Sequence, residues 1–163
     1  MRLSAKVWRH IPAGAHPRDL EAILRSGGRW NRPDVYACLY TALTLDGAIA
    51  ELRKAKYRSS GLPRDIKPRA LVSIQVDLDP VIDLTDPANP YVDPKEHFLT
   101  GNTDADKEHC RSVADRVRAD GIVGIIVPSA AAPGEKNLVI YIDGPPRGIH
   151  LTDGGDRIPA GEV

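Results

Sequence analysis

Apolar residues recur through Leu71, Val72, Ile74, Val76 and Leu78, and Gly121 to Val127 is an unbroken apolar run. The first has the period of a strand with one covered face, and the second suits a short strand buried on both sides. Around them the elements come in irregular order. Val7 to Ile11 reads as a strand, and a helix opened by Pro17 stops at Gly27-Gly28. A second strand, Tyr36 to Tyr40, leads to a helix that Thr44 caps, with apolar positions at Leu45, Ala48, Ile49 and Leu52. The Leu71 to Leu78 strand is expected to be central, with a short partner at Val81 to Leu84. Thr103 and Asp106 form the ends of a capping box for a helix that turns Val113 and Val117 inward and ends at Gly121. Strands at Ile122 to Val127 and Leu138 to Ile142 follow. Strands and helices mix without regular βαβ alternation, which predicts an α+β fold.

A chain of 163 residues suits one core. Residues 1–152 are expected to form a single domain, and the Gly-rich, polar stretch 153–163 a loose tail. Arg53 to Arg69 reads as a basic excursion, and Thr85 to Thr103 as a long loop rich in Pro, Asn and Asp. The 22 basic and 22 acidic residues cancel, so no global field recruits nucleic acid or an anionic membrane. Two cysteines make no disulfide scaffold, and neither a signal-type apolar run nor a ~20-residue apolar span is present, so a cytoplasmic, soluble protein is expected.

The polar and aromatic residues that carry chemistry are spread along the chain: Trp8-Arg9, Gly27-Gly28-Arg29-Trp30-Asn31, Tyr40, Glu51, Pro128-Ser129, Gly134 and Asn137. Arg9 and Arg29 each offer a planar fork of donors suited to phosphate oxygens. The Tyr40 ring can stack on a cationic aromatic group, and Trp30 is either a wall or core. Asn31 can accept hydrogen bonds in the same turn, the Ser129 hydroxyl can bond a ribose or an amide, and Asn137 can brace its loop. At helical spacing Glu51 falls at the edge of the apolar stripe beside Ala48, where it either lines a cleft or stays solvated. A carboxylate beside a ribose stabilises the positive charge that develops when an N-glycosidic bond breaks. Together these parts suit NAD⁺.

Gly-x-Gly-x-x-Gly, P-loop, His-Glu-x-x-His and paired-cysteine zinc motifs are lacking, and His97, His109 and Cys110 have no standard ligand spacing, so no metal is expected. A rival reading is a ribonuclease or RNA-binding toxin using Arg25, Arg29, Arg32, Lys54, Lys56, Arg58, Arg64 and Lys67 as a phosphate track. Net neutrality and few aromatics argue against direct nucleic-acid binding.

Trp8-Arg9, Gly-Gly-Arg-Trp-Asn at 27–31, Tyr40-Thr41, Glu51, and Val127-Pro128-Ser129-Ala130 through Pro133-Gly134-Glu135-Lys136-Asn137 resemble the RES domain, in order from about residue 7 to 142. Ala42 departs from the pattern, since members often have serine there. The resemblance implies an ADP-ribosyltransferase-like fold with small sheets around an NAD⁺ cleft. It also implies a bacterial toxin that cleaves the nicotinamide–ribose bond of NAD⁺, as a glycohydrolase or with inorganic phosphate as co-substrate. The alternative is a mono-ADP-ribosyltransferase acting on a protein. The implied partner is an Xre-type helix-turn-helix antitoxin that blocks the site. The implied roles are phosphate binding for Arg9 and Arg29, nicotinamide for Tyr40, the reacting ribose for Glu51, and the nicotinamide side for Ser129 with Asn137 in support.

Overall fold

The computed structural model describes residues 1–18, 21–56, 68–142 and 148–159. Its elements are β1 (Leu3–Pro12), α1 (Glu21–Ser26), β2 (Cys38–Ala42), α2 (Leu45–Lys56), β3 (Arg69–Leu78), β4 (Val81–Asp83), a 3₁₀ turn (His97–Leu99), α3 (Asp104–Ala119), β5 (Gly124–Pro128), β6 (Lys136–Tyr141) and β7 (Ile149–Pro159). The fold is the expected α+β one. The strands form one sheet in the order β4-β5-β6-β2-β1-β3-β7.

That sheet is two small sheets joined at one point. β2 pairs with β6 over five residues and β1 with β3 over ten, whereas β1 and β2 share only the pair Trp8 and Ala42. Val7, Ile74, Val76 and Leu78 from one half meet Leu39, Ile126, Leu138 and Ile140 from the other in one buried cluster. The sheet therefore bends at the Trp8–Ala42 junction and brings the inner faces of its halves together. On the opposite face, Val113 and Val117 of α3 pack with Cys38, Ile125, Val127, Val139 and Tyr141. Leu45, Ala48, Ile49 and Leu52 of α2 pack with Trp8, Ala42 and Leu71, so this helix lies over the junction itself. The period-two alternation of β2, β5 and β6 sorts their residues between the two faces.

The helix signals were local ones and act locally. The Thr44 hydroxyl accepts from Gly47 N at 3.0 Å, which caps α2. Thr103 and Asp106 make the reciprocal capping box of α3, at 3.1 Å in both directions. β2 begins two residues later than expected and ends at Ala42. β3 is internal, but it lies next to the edge strand β7 rather than at the centre.

The expected loose tail is corrected by β7, which pairs with β3 from Leu78–Ile149 to Ala70–Pro159. The Gly154-Gly155 pair that suggested looseness makes a bulge, where the register shifts between Val72 and Ile74. Gly155 has φ +87°, and a Cβ at Gly154 would lie 2.3 Å from Ser73 Oγ. Ser73 Oγ donates to Asp156 Oδ2 at 2.7 Å and accepts from Asp156 N at 3.1 Å, so the bulge is fastened to the buried Ser73. Residues 160–163 and most of the Arg53 to Arg69 excursion lie outside the described residues. Gly154→Ala should lower stability by about 1–3 kcal/mol, because the added methyl overpacks this site; urea unfolding would show it, and an unchanged midpoint would contradict the bulge.

Candidate active site

Beyond Trp8 and Ala42 the two strands diverge, and the stretches that fail to pair become walls. A cavity of about 340 Å³ is lined by Arg9 to Pro12 from β1 and by Cys38 and Tyr40 to Ala42 from β2, with Ala48 and Glu51 of α2, Ser26, Arg69 and Asn137 completing it. Its volume is in the range of small-molecule sites.

Glu51 Oε1 accepts hydrogen bonds from Ser129 Oγ at 3.0 Å and Asn137 Nδ2 at 2.9 Å. The Ser129 hydroxyl accepts in turn from the backbone N–H groups of Ala131 (3.1 Å) and Ala132 (3.2 Å). Its single proton thus points at the carboxylate. Asn137 must turn its amide nitrogen to Glu51, because a carboxylate only accepts, and this leaves Asn137 Oδ1 without a partner. Among the described residues no other buried side-chain nitrogen or oxygen is unpaired. Three segments remote in sequence therefore set one carboxylate on the cavity wall.

The glycine turn stands behind Tyr40. Gly27 has φ +66°, and Gly28 pairs with Asn31 across the tip Arg29-Trp30. A Cβ on Gly28 would lie 2.5 Å from the Tyr40 hydroxyl, so glycine is required there for the ring to seat. Tyr40 Oη donates to Asn31 Oδ1 (2.7 Å) and accepts from Trp30 N (2.8 Å). Burial raises its phenol well above the ordinary range, so it remains neutral. The hydroxyl is an anchor, and it is the residue's place in the cavity wall that a ligand could use. Trp30 and Asn31 are 2% and 0% exposed, and neither lines the cavity. Trp30 is core, and Asn31 holds Tyr40 while also bonding Tyr36 O at 3.2 Å.

Arg29 is not in the cavity wall either. Its guanidinium donates to the carbonyls of Phe98 and Gly101 and to Asn102 Oδ1, which Lys54 also reaches at 3.4 Å. Lys54 lies three residues along α2 from Glu51, so Arg29 ties the 97–103 loop beside the α2 end of the site. Arg32 forks onto Asp115 (2.7 Å) and reaches Glu108 (2.7 Å) on α3. Arg111 donates to Gly28 O at 3.0 Å. These contacts pin the turn and commit Arg32 to carboxylates, which removes it from an RNA track; Arg58, Arg64 and Lys67 of that track lie outside the described residues.

At the β1 end, Arg9 Nη1 donates to Pro17 O at 2.9 Å. Two residues absent from the expected set stand with it, His10 and Arg69. Arg69 Nη2 lies 2.8 Å from His10 Nδ1 and 3.2 Å from His10 O, and Nε lies 3.2 Å from the same ring nitrogen. Register explains the meeting, since His10 pairs with Leu71 and Pro12 with Arg69, which makes His10 and Arg69 diagonal neighbours on one face. Only the pairing of β1 with β3 reveals this from sequence. Burial first, then Arg69 and Arg9, push the His10 imidazole down from 6.5 to about 4.

Between pH 6.5 and about 4 the unfolded chain takes up a proton at His10 that the folded protein refuses. Stability should therefore fall as pH drops through that window, by roughly 3 kcal/mol in full. Urea midpoints of the wild type and His10→Asn, compared from pH 7 to 4, would show the variant losing less; parallel curves would contradict the shift.

The RES domain family model matches residues 5–158. Among curated proteins no sequence matches. The crystal structure of the M.tuberculosis MbcT-MbcA toxin-antitoxin complex contains a chain that superposes with a TM-score of 0.68 at 20% identity, covering 98% of this chain and 85% of that one. At that identity the likeness concerns the fold alone. With the family pattern running from β1 into β7, the chain belongs to the RES domain family.

Proposed function

We infer that this protein is the toxin of a toxin–antitoxin pair and that its cavity takes NAD⁺ for cleavage of the nicotinamide–ribose bond. The observation that carries the reading is Glu51, a carboxylate aimed at the cavity by the donors Ser129 and Asn137. Family membership and the fold shared with the MbcT chain support it.

Nicotinamide leaves NAD⁺ as a neutral molecule. The bond between ribose C1′ and the pyridine nitrogen breaks with its electron pair going to nitrogen, and positive charge develops on the sugar. Glu51 stabilises that charge through space, as carboxylates do in glycoside hydrolysis. An oxygen of water, inorganic phosphate or a protein side chain then bonds to C1′ and gives up its proton if it carries one. In this reading Tyr40 presents its ring to nicotinamide, Arg9 faces the phosphates, and the unpartnered Asn137 Oδ1 accepts from a hydroxyl or amide of the ligand. Ser129 works through Glu51, while Trp30 and Asn31 work through Tyr40. Arg29 holds the loop at 97–103. An Xre-type helix-turn-helix antitoxin would neutralise the enzyme by covering the cavity.

Among the described residues no helix is long and apolar enough to cross a membrane, and no three His, Cys, Asp or Glu side chains are grouped to hold a metal ion. The reaction proposed here draws only on side chains and the acceptor.

Purified protein incubated with NAD⁺, with and without phosphate, should release nicotinamide. Glu51→Gln should lower kcat by about 100-fold or more, the scale of a lost transition-state contact. Ser129→Ala and Asn137→Ala should each cost roughly 10-fold, the scale of one hydrogen bond to a charged group. Mass spectrometry of the co-product separates ADP-ribose, its phosphate and a modified protein. Absence of nicotinamide release in water, with phosphate, and with a cell extract added as a source of protein acceptors would sink the reading.

A further inference from the structure

We propose that Arg69, aimed by His10, is the second guanidinium of the cavity and binds the anionic pyrophosphate of the dinucleotide together with Arg9. The inference deepens the NAD⁺ reading and rests on it for the ligand's identity, though not for its charge. It adds a phosphate contact at the first residue of β3.

Three observations carry it. Arg69 lines the same cavity as Arg9 and Glu51, whereas Arg29 does not. The hydrogen-bond partner of the Arg69 guanidinium among the described residues is His10, through its ring and its carbonyl, and not a carboxylate. A neutral imidazole can accept at Nδ1 without cancelling charge, so Arg69 is oriented while its positive charge stays available to a ligand. Finally, the β1–β3 register fixes Arg69 diagonally from His10 and two residues before the fully buried Leu71, so it is built on rigid strands and not on the neighbouring excursion.

The cavity is therefore polarised. Arg9 and Arg69 stand with the β1 and β3 strand ends, and among the described residues Glu51 on α2 is its single acidic lining residue. A dinucleotide has the matching polarity, with two phosphates at one end of a ribose and the scissile bond at the other. Forked guanidinium donors hold phosphate oxygens in pairs, which a lysine does not reproduce.

The test is calorimetric titration with ADP, which carries the phosphates without the scissile bond, alongside steady-state kinetics with NAD⁺. Arg69→Ala should weaken ADP binding about 10- to 100-fold, the scale of charge-assisted hydrogen bonds, and raise KM for NAD⁺ similarly with a much smaller change in kcat. His10→Leu, which removes the acceptor, should give part of the same loss. His10→Asn, whose Oδ1 can stand near the place of Nδ1, should recover it, and a merely structural role would not produce that rescue. If Arg69→Ala does not fold, the two His10 variants supply the readout. The proposal is overturned if the wild type fails to bind ADP, if folded Arg69→Ala binds it as well as the wild type, or if His10→Leu and His10→Asn behave alike. ADP bound through Arg69 with no nicotinamide released from NAD⁺ would leave the anion site standing and remove the bond-cleavage reading.

Discussion

The architecture depends on how little β1 and β2 share. Had their pairing continued past Trp8 and Ala42, hydrogen bonds would have closed the space between Arg9–Pro12 and Cys38–Thr41, and no cavity would lie between them. Long pairings elsewhere, β1 with β3 and β2 with β6, hold each half rigid. The buried cluster between the inner faces prevents the halves from separating. Over the one junction lies α2, whose apolar side packs on Trp8 and Ala42 while Glu51 reaches the opening. The gap is thus a product of strand divergence, and the helix that seals its floor also delivers its carboxylate.

Around Glu51 the polar groups are arranged in layers. Ser129 has its hydroxyl orientation fixed by Ala131 and Ala132, and Asn137 has its amide orientation fixed by the carboxylate. A buried acceptor without a partner costs on the order of 1–3 kcal/mol, so Asn137 Oδ1 is a local expense retained in the wall of the cavity. The same layering recurs at Tyr40, whose hydroxyl is consumed by Trp30 and Asn31 so that the ring keeps one position. Ser129, Trp30 and Asn31 do this holding without lining the cavity, whereas Asn137 both holds Glu51 and lines the cavity.

Much of this was legible in the sequence, and what was not has a common cause. Caps and breaks are local, so Thr44, Thr103 with Asp106, and Gly27 marked helix ends correctly. Glu51, Tyr40, Arg9 and Asn137 were found because their types and order match a family pattern, and they converge on one cavity. Pairing partners were not legible. The meeting of Arg69 with His10 depends on the β1–β3 register, and the position of Arg29 on the carbonyls of Phe98 and Gly101 depends on how a distant loop returns. Gly154-Gly155 misled for the same reason: a glycine pair signals both a loose end and a bulge, and only the neighbouring Ser73 decides.

Ser129 and Asn137 lie 78 and 86 residues from Glu51 along the chain. During synthesis α2 is made long before either of its polar partners, and β6 cannot pair with β2 until Asn137 and its neighbours have been added. A ribosome carrying this chain therefore holds an unaimed carboxylate until Ser129 and Asn137 have been added. The arrangement around Glu51 comes into being only once β6 has been made, well after α2 itself, so the helix can form before its carboxylate is aimed.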